Sequence, residues 1–237
     1  MYKAVFLDID NTLLDFAACA RYAMRAALPE FGSAYEDSLF PLFTRINNSL
    51  WEQLERGELT QQQLYDTRWS LIFSQWRRTA AGDIAAGGID GVAFERRFSH
   101  FLAYSAEPVD GARELLAALR GRTLVCAASN GPYEQQRFRL ESAGLLPYFD
   151  RLFVSEALGV SKPEAAFFDA CFADLPPMER KDALMVGDSL TADILGGLRA
   201  GMDTCWFSPA GKADDGGIRP AHTVRTLAGV LQLPGMR

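Results

Sequence analysis

The chain has 237 residues, 49% apolar and 23% charged, and its 24 Lys and Arg against 30 Asp and Glu leave a net charge of −6. This composition supports a sizeable core and excludes a disordered chain, while basic residues scattered along the sequence form no stripe for a phosphate backbone, which excludes nucleic acid as a partner. Charges interrupt every apolar run before about 18 residues, so no membrane association is expected, and the absence of a long apolar leader and of C-x-x-C pairs points to the reducing cytoplasm.

Ala4-Val5-Phe6-Leu7 is a short continuous apolar run, the pattern of a parallel strand covered on both faces. Asp8-Ile9-Asp10-Asn11-Thr12 follows directly. Two carboxylates at the C-terminal end of a buried strand stand where open α/β sheets bind ligands, although Asp, Asn and Thr also close turns and cap helices. Acids this close repel each other, and burial raises the cost unless a cation or protons compensate; a divalent metal is the simplest answer.

Residues 15–105 then interrupt the rhythm, because a crossover between parallel strands needs only a dozen or so residues. An inserted helical domain is expected there. Tyr65, Trp69, Ile72 and Trp76 form a helical stripe with Thr60 as N-cap, and these aromatics read as core rather than as a base-stacking platform. Asp83 to Gly91 reads as a glycine-rich loop with no phosphate-cradle signature. The chain returns near Ser105 to Pro108, the expected hinge.

Beyond the return, strand-like runs at Leu124–Ala128, Leu152–Val154, Ala183–Val186 and Thr204–Phe207 alternate with helical patterns at Val109–Leu119, Tyr133–Ser142, Glu164–Phe172 and Asp193–Ala200. Residues 1–14 and 106–237 are therefore expected to form a doubly wound α/β core with a Rossmann-like parallel sheet. Ser129-Asn130-Gly131 offers a hydroxyl and backbone N–H groups for anionic oxygens. Lys162-Pro163 sets a compact positive charge beside a helix opening. Gly187-Asp188 ends a strand, and Asp193 lies in the following helical turn. Taken singly, each has an ordinary alternative: Ser129 closing a turn, Lys162 solvated, Asp188 and Asp193 capping a helix.

Together they match the requirements of metal-assisted phosphoryl transfer. Asp8-x-Asp10-x-Thr12, Ser129, Lys162-Pro163 and Gly187-Asp188-x-x-x-x-Asp193 resemble, in order and spacing, the four motifs of the haloacid dehalogenase-like hydrolases, and the insertion is similar in place and helical character to that family's C1 cap. The resemblance implies that Asp8 is the nucleophile and forms an aspartyl-phosphate, and that Asp10 is the general acid and base. It implies that Ser129 and Lys162 hold phosphoryl oxygens. Magnesium would be held by the Asp8 and Asp188 carboxylates and the Asp10 carbonyl, with Asp193 orienting Lys162 or a metal-bound water.

Within the family, Asp10 argues against the dehalogenases, which lack that acid, while sugar-phosphate mutases share the motifs and cap type. Asn47-x-x-Leu50-Trp51, Gly57, Thr60, Arg68, Ser129-Asn130-Gly131 and Asp193-Ile194-Leu195-Gly196-Gly197 resemble the bacterial house-cleaning pyrimidine nucleoside 5'-monophosphatases. That branch often has Thr where Ser129 stands. The leading expectation is a magnesium-dependent phosphatase for a small phosphorylated metabolite, a pyrimidine nucleotide, with Asn130 and Arg68 (and Arg45) as candidate substrate contacts. The alternatives are a phosphatase for a sugar phosphate or phosphoglycolate, and a non-catalytic phosphate-binding or phospho-receiver module.

Overall fold

The apolar runs become the strands of one sheet. In the computed structural model, which describes residues 1–79, 88–211 and 217–236, β1 (Ala4–Leu7), β2 (Leu124–Ser129), β3 (Arg151–Val154), β4 (Ala183–Gly187), β5 (Asp203–Phe207) and β6 (His222–Val224) form a parallel sheet in the order β3-β2-β1-β4-β5-β6. Alternation along β1 divides its side chains between two cores. Val5 and Leu7 join Val125, Leu184, Val186 and Leu116 on one face. Ala4 and Phe6 join Cys126, Met185, Phe167 and Phe168 on the other. A strand buried on both faces needs continuous apolar residues, which is why these runs were legible.

The order reverses at β1, and the register sets what stands there. Leu7 lies opposite both Ala127 and Val186, and Asp8 N–H donates to the Val186 carbonyl at 2.9 Å. The ends of β1, β2 and β4 are thereby brought level at the topological switch point of the sheet, where ligands of open α/β sheets bind.

Three local outcomes differ from the sequence reading. β6 was not expected, because His-Thr-Val carries no apolar run and is ordered by edge pairing to β5. The helix expected from Val109 starts at Ala112, α5 (Ala112–Leu119), after Gly111 turns the chain with φ 84°. The helix expected from Asp193 is preceded by one π turn, Leu190–Ile194, and continues as α9 (Leu195–Arg199). Helices α6 (Tyr133–Ser142), α7 (Ser155–Leu158), α8 (Ala165–Ala173) and α10 (Leu227–Val230) complete the coverage.

The described residues separate into two compact units, Met1–Phe16 with Ala106–Arg237, and Ala17–Ser105. The second is helical: α1 (Phe16–Ala27), α2 (Leu39–Glu55), α3 (Gln61–Thr79) and α4 (Gly91–Ala103). Trp69 fills its centre, with ring centroids 5.4 Å from Phe43, 4.5 Å from Phe94 and 4.9 Å from Phe98. Thr60 caps α3 as a reciprocal box: Gln63 N–H donates to Thr60 Oγ1 and Thr60 N–H to Gln63 Oε1. Of the loop expected from Asp83 to Gly91, the part up to Gly87 lies outside the described residues. Gly91 instead opens α4, capped by the Asp90 side chain, which accepts from Val92 and Ala93 N–H.

Candidate active site

The switch point gathers residues that are far apart in the chain. Asp8, Asp188 and Asp193 each present a carboxylate oxygen within 4.8 Å of the others. Lys162 stands among them, 2% exposed. Its ammonium donates to Asp8 Oδ1 at 2.7 Å, Asp193 Oδ1 at 2.7 Å and the Ala128 carbonyl at 2.6 Å. All three N–H bonds are used, so the charge is fixed in position as well as in sign.

Local structure explains each placement. Asn130 brackets Lys162 from the end of β2, its amide donating to the Lys162 carbonyl and accepting from the Lys162 N–H, both at 2.9 Å. The amide expected at the substrate thus pins the lysine backbone. The π turn brings the Asp193 carboxylate back toward the strand end, where Oδ2 accepts from Ser189 N–H at 3.0 Å and Oδ1 receives Lys162. A Cβ at Gly187 would collide with that carboxylate, so β4 must end in glycine. Trp206 Nε1–H donates to the Asp188 carbonyl at 2.9 Å, steadying the acid from β5. Asn11 turns the chain after Asp10 with φ 61°, a left-handed conformation that asparagine tolerates.

One ammonium faces three carboxylates. Burial pushes the Asp8 carboxyl from 3.8 up to about 7; Asp193 and Asp10 push the same way, and Lys162 opposes them. Asp188 is raised by burial and then by Asp8 and Asp193. Burial opposes the charge on Lys162, but Asp193 and Asp8 outweigh it and hold its pKa above the ordinary lysine value. The lysine therefore stays protonated while the acids are under-compensated, the donor chemistry that suits a hard divalent cation.

Ser129 Oγ, 2% exposed, accepts from Gly131 N–H at 3.1 Å and from Gln136 Nε2 at 2.8 Å. Asp10 has partners that sequence reasoning missed. Gln136 Nε2 donates to Asp10 Oδ2 at 2.7 Å and Arg139 NH1 to Oδ1 at 2.6 Å. The available signal was a glutamine and an arginine sharing with Leu140 the face of α6 that turns to the core, where such side chains need partners.

Arg68, expected at the substrate, is 3% exposed inside the helical unit. Nε and NH2 donate to Glu95 at 2.9 and 2.6 Å, and NH1 donates to Asn47 Oδ1 at 2.7 Å. A buried carboxylate requires such a partner, so this arginine serves the packing of α2, α3 and α4. Arg45 is exposed and donates to Gln75 at 2.8 Å. Burial raises the thiols of Cys126 and Cys205 to about 12, which leaves them protonated and unreactive.

Comparison with known proteins points to the family that the motifs resemble. The pyrimidine 5'-nucleotidase PynA of Streptococcus pneumoniae is 35% identical over 231 residues, covering 97% of this chain and 94% of that protein. The pyrimidine 5'-nucleotidase YjjG of Escherichia coli is 31% identical over 229 residues, covering 97% and 96%. The crystal structure of the HAD-hydrolase YfnB of Bacillus subtilis, bound to magnesium, superposes with a TM-score of 0.89 at 31% identity, covering 98% of this chain and 97% of that one. Residues 2–201 match the family model described as haloacid dehalogenase-like hydrolase, and the chain belongs to that family.

Proposed function

We propose that the chain is a magnesium-dependent phosphomonoesterase that works through an aspartyl-phosphate on Asp8 and hydrolyses pyrimidine nucleoside 5'-monophosphates. The observation that carries the reading is the clustering of Asp8, Asp188 and Asp193 around one protonated lysine. The substrate class rests on similarity to relatives named pyrimidine 5'-nucleotidases.

Magnesium would be held by the Asp8 and Asp188 carboxylates and the Asp10 carbonyl, with Asp193 behind them. Bound there, it would offset the crowded negative charge and polarise a phosphoryl oxygen. Ser129 would donate to a remaining phosphoryl oxygen, and Lys162 would act on these oxygens as a fixed charge whose attraction grows as the transition state gathers negative charge. An Asp8 oxygen attacks phosphorus while the bond to the leaving oxygen breaks, and Asp10 gives that oxygen its proton. Asp10 then takes a proton from the water that attacks the phospho-enzyme, and the Asp8–phosphorus bond breaks, so both groups return to their starting states. The helical insertion, residues 15–105, is assigned to leaving-group selection, and the cytoplasm is the proposed compartment.

The test is phosphate release across nucleotides and sugar phosphates, with magnesium and with chelator, for wild type and Asp8→Asn. Activity on pyrimidine nucleotides that disappears with chelator and in the variant is expected. Undiminished hydrolysis by Asp8→Asn would refute the nucleophile, and preference for a sugar phosphate would refute the substrate class.

A further inference from the structure

Asp10 is held by a clamp that belongs to a single helix. Gln136 and Arg139 lie one turn apart on α6, and each is 1% exposed. Their donors take one carboxylate oxygen each: Gln136 Nε2 takes Oδ2 and Arg139 NH1 takes Oδ1. The two clamp residues are also joined to each other, because Arg139 NH1 donates to Gln136 Oε1 at 3.0 Å. The same Gln136 nitrogen reaches Ser129 Oγ at 2.8 Å, so the clamp ties Asp10 to the hydroxyl at the end of β2.

The Asp10 side chain remains 31% exposed while the clamp is buried. The carboxyl is thus gripped from the protein side and open on the other. A short acid on a turn would otherwise sample several rotamers, only some of which place its proton within reach of a leaving oxygen. The backbone accommodates this arrangement at one point: a Cβ on Gly131 would stand 2.6 Å from Gln136 Nε2, so glycine there lets the amide sit between Ser129 and Asp10.

We infer that Gln136 and Arg139 are positioning residues for the acid and base chemistry of Asp10, fixing its carboxyl beside the phosphoryl-binding hydroxyl of Ser129. This rests on the phosphatase reading above. They do not touch the reacting atoms; their effect passes through Asp10. Because a single Arg139 nitrogen makes both the Asp10 and the Gln136 contact, a lysine ammonium can replace it in these two bonds.

The test compares kcat/KM for uridine 5'-monophosphate, whose alkoxide needs a proton to leave, with that for p-nitrophenyl phosphate, whose phenolate does not. Gln136→Met keeps side-chain size and removes the donor, and Arg139→Ala removes the charge. Each should lower kcat/KM for the nucleotide by about 100-fold, the scale of general acid catalysis, and for the aryl ester by less than about 3-fold. Arg139→Lys should keep nucleotide hydrolysis within about 5-fold of wild type on the same scale. Thermal unfolding of each variant identifies losses caused by misfolding, and Gln136→Met carries the test if Arg139→Ala does not fold. Equal losses on both esters in folded protein, or a lysine no better than alanine, would overturn the positioning role and leave the phosphatase reading intact. A wild-type protein inactive on both esters would instead overturn that reading together with this inference.

Discussion

Between about pH 4 and pH 7 the folded protein holds protons that the unfolded chain releases, because the Asp8 carboxyl is raised from 3.8 to about 7 and Asp188 is raised as well. The native state binds the extra protons, so stability falls as pH rises through this window. The surface pairs Glu30–Arg97, Glu58–Arg56 and Asp182–Lys3 act with the opposite sign, since their lowered carboxylates give stability that is lost only as pH falls below the ordinary range. Magnesium, in the proposed reading, would select the ionised acids. Added magnesium should therefore raise the unfolding temperature more at pH 8 than at pH 5, and an equal rise at both would contradict the crowded-acid account. Gly187 gives a second residue-scale prediction. A methyl there displaces the Asp193 carboxylate and with it one of the three partners of Lys162. Gly187→Ala should reduce phosphate release on the order of 100-fold, the penalty of a misplacement near 1 Å.

At the scale of elements, the helical unit depends on two different kinds of contact. Trp69 on α3 packs against aromatics of α2 and α4 and is fully buried. Trp69→Ala should cost about 3–5 kcal/mol in an unfolding measurement, from lost transfer energy and the cavity left behind. Arg68, one residue earlier, is the polar counterpart. Arg68→Met leaves the buried Glu95 without its charged partner and should also cost about 3–5 kcal/mol. In the protein that remains folded, hydrolysis of a nucleotide and of p-nitrophenyl phosphate should change alike, and selective loss of the nucleotide would return Arg68 to substrate recognition. In the sheet unit, the π turn Leu190–Ile194 has the comparable role: with an extra residue in the turn, Ser189 N–H meets Asp193 Oδ2. A regular helix from Asp193, as the sequence suggests, would aim that carboxylate elsewhere.

At the scale of the molecule, five of the six strands were legible because each carries an apolar run, continuous where a strand is covered on both faces and shorter in the edge strand β3. β6 was not, because an edge strand of His, Thr and Val is ordered by its neighbour. Asp8 and Asp188 stood out because each falls at the junction between an apolar run and a turn, and Lys162 because it stands beside a helix opening, all one-dimensional features. The clamp on Asp10 has no such signature. Gln136 and Arg139 are 126 and 129 residues from Asp10 and meet it only because β1 pairs with β2 and α6 follows β2. The amino-acid order alone thus determined the alternation of strands and helices and the residue types at each strand end, since local burial imposes periodicity on the chain. Which donor faces which acceptor was decided by strand register and helix rotation. A hydrogen bond or ion pair depends on a distance of about 3 Å between groups whose separation along the chain does not set it.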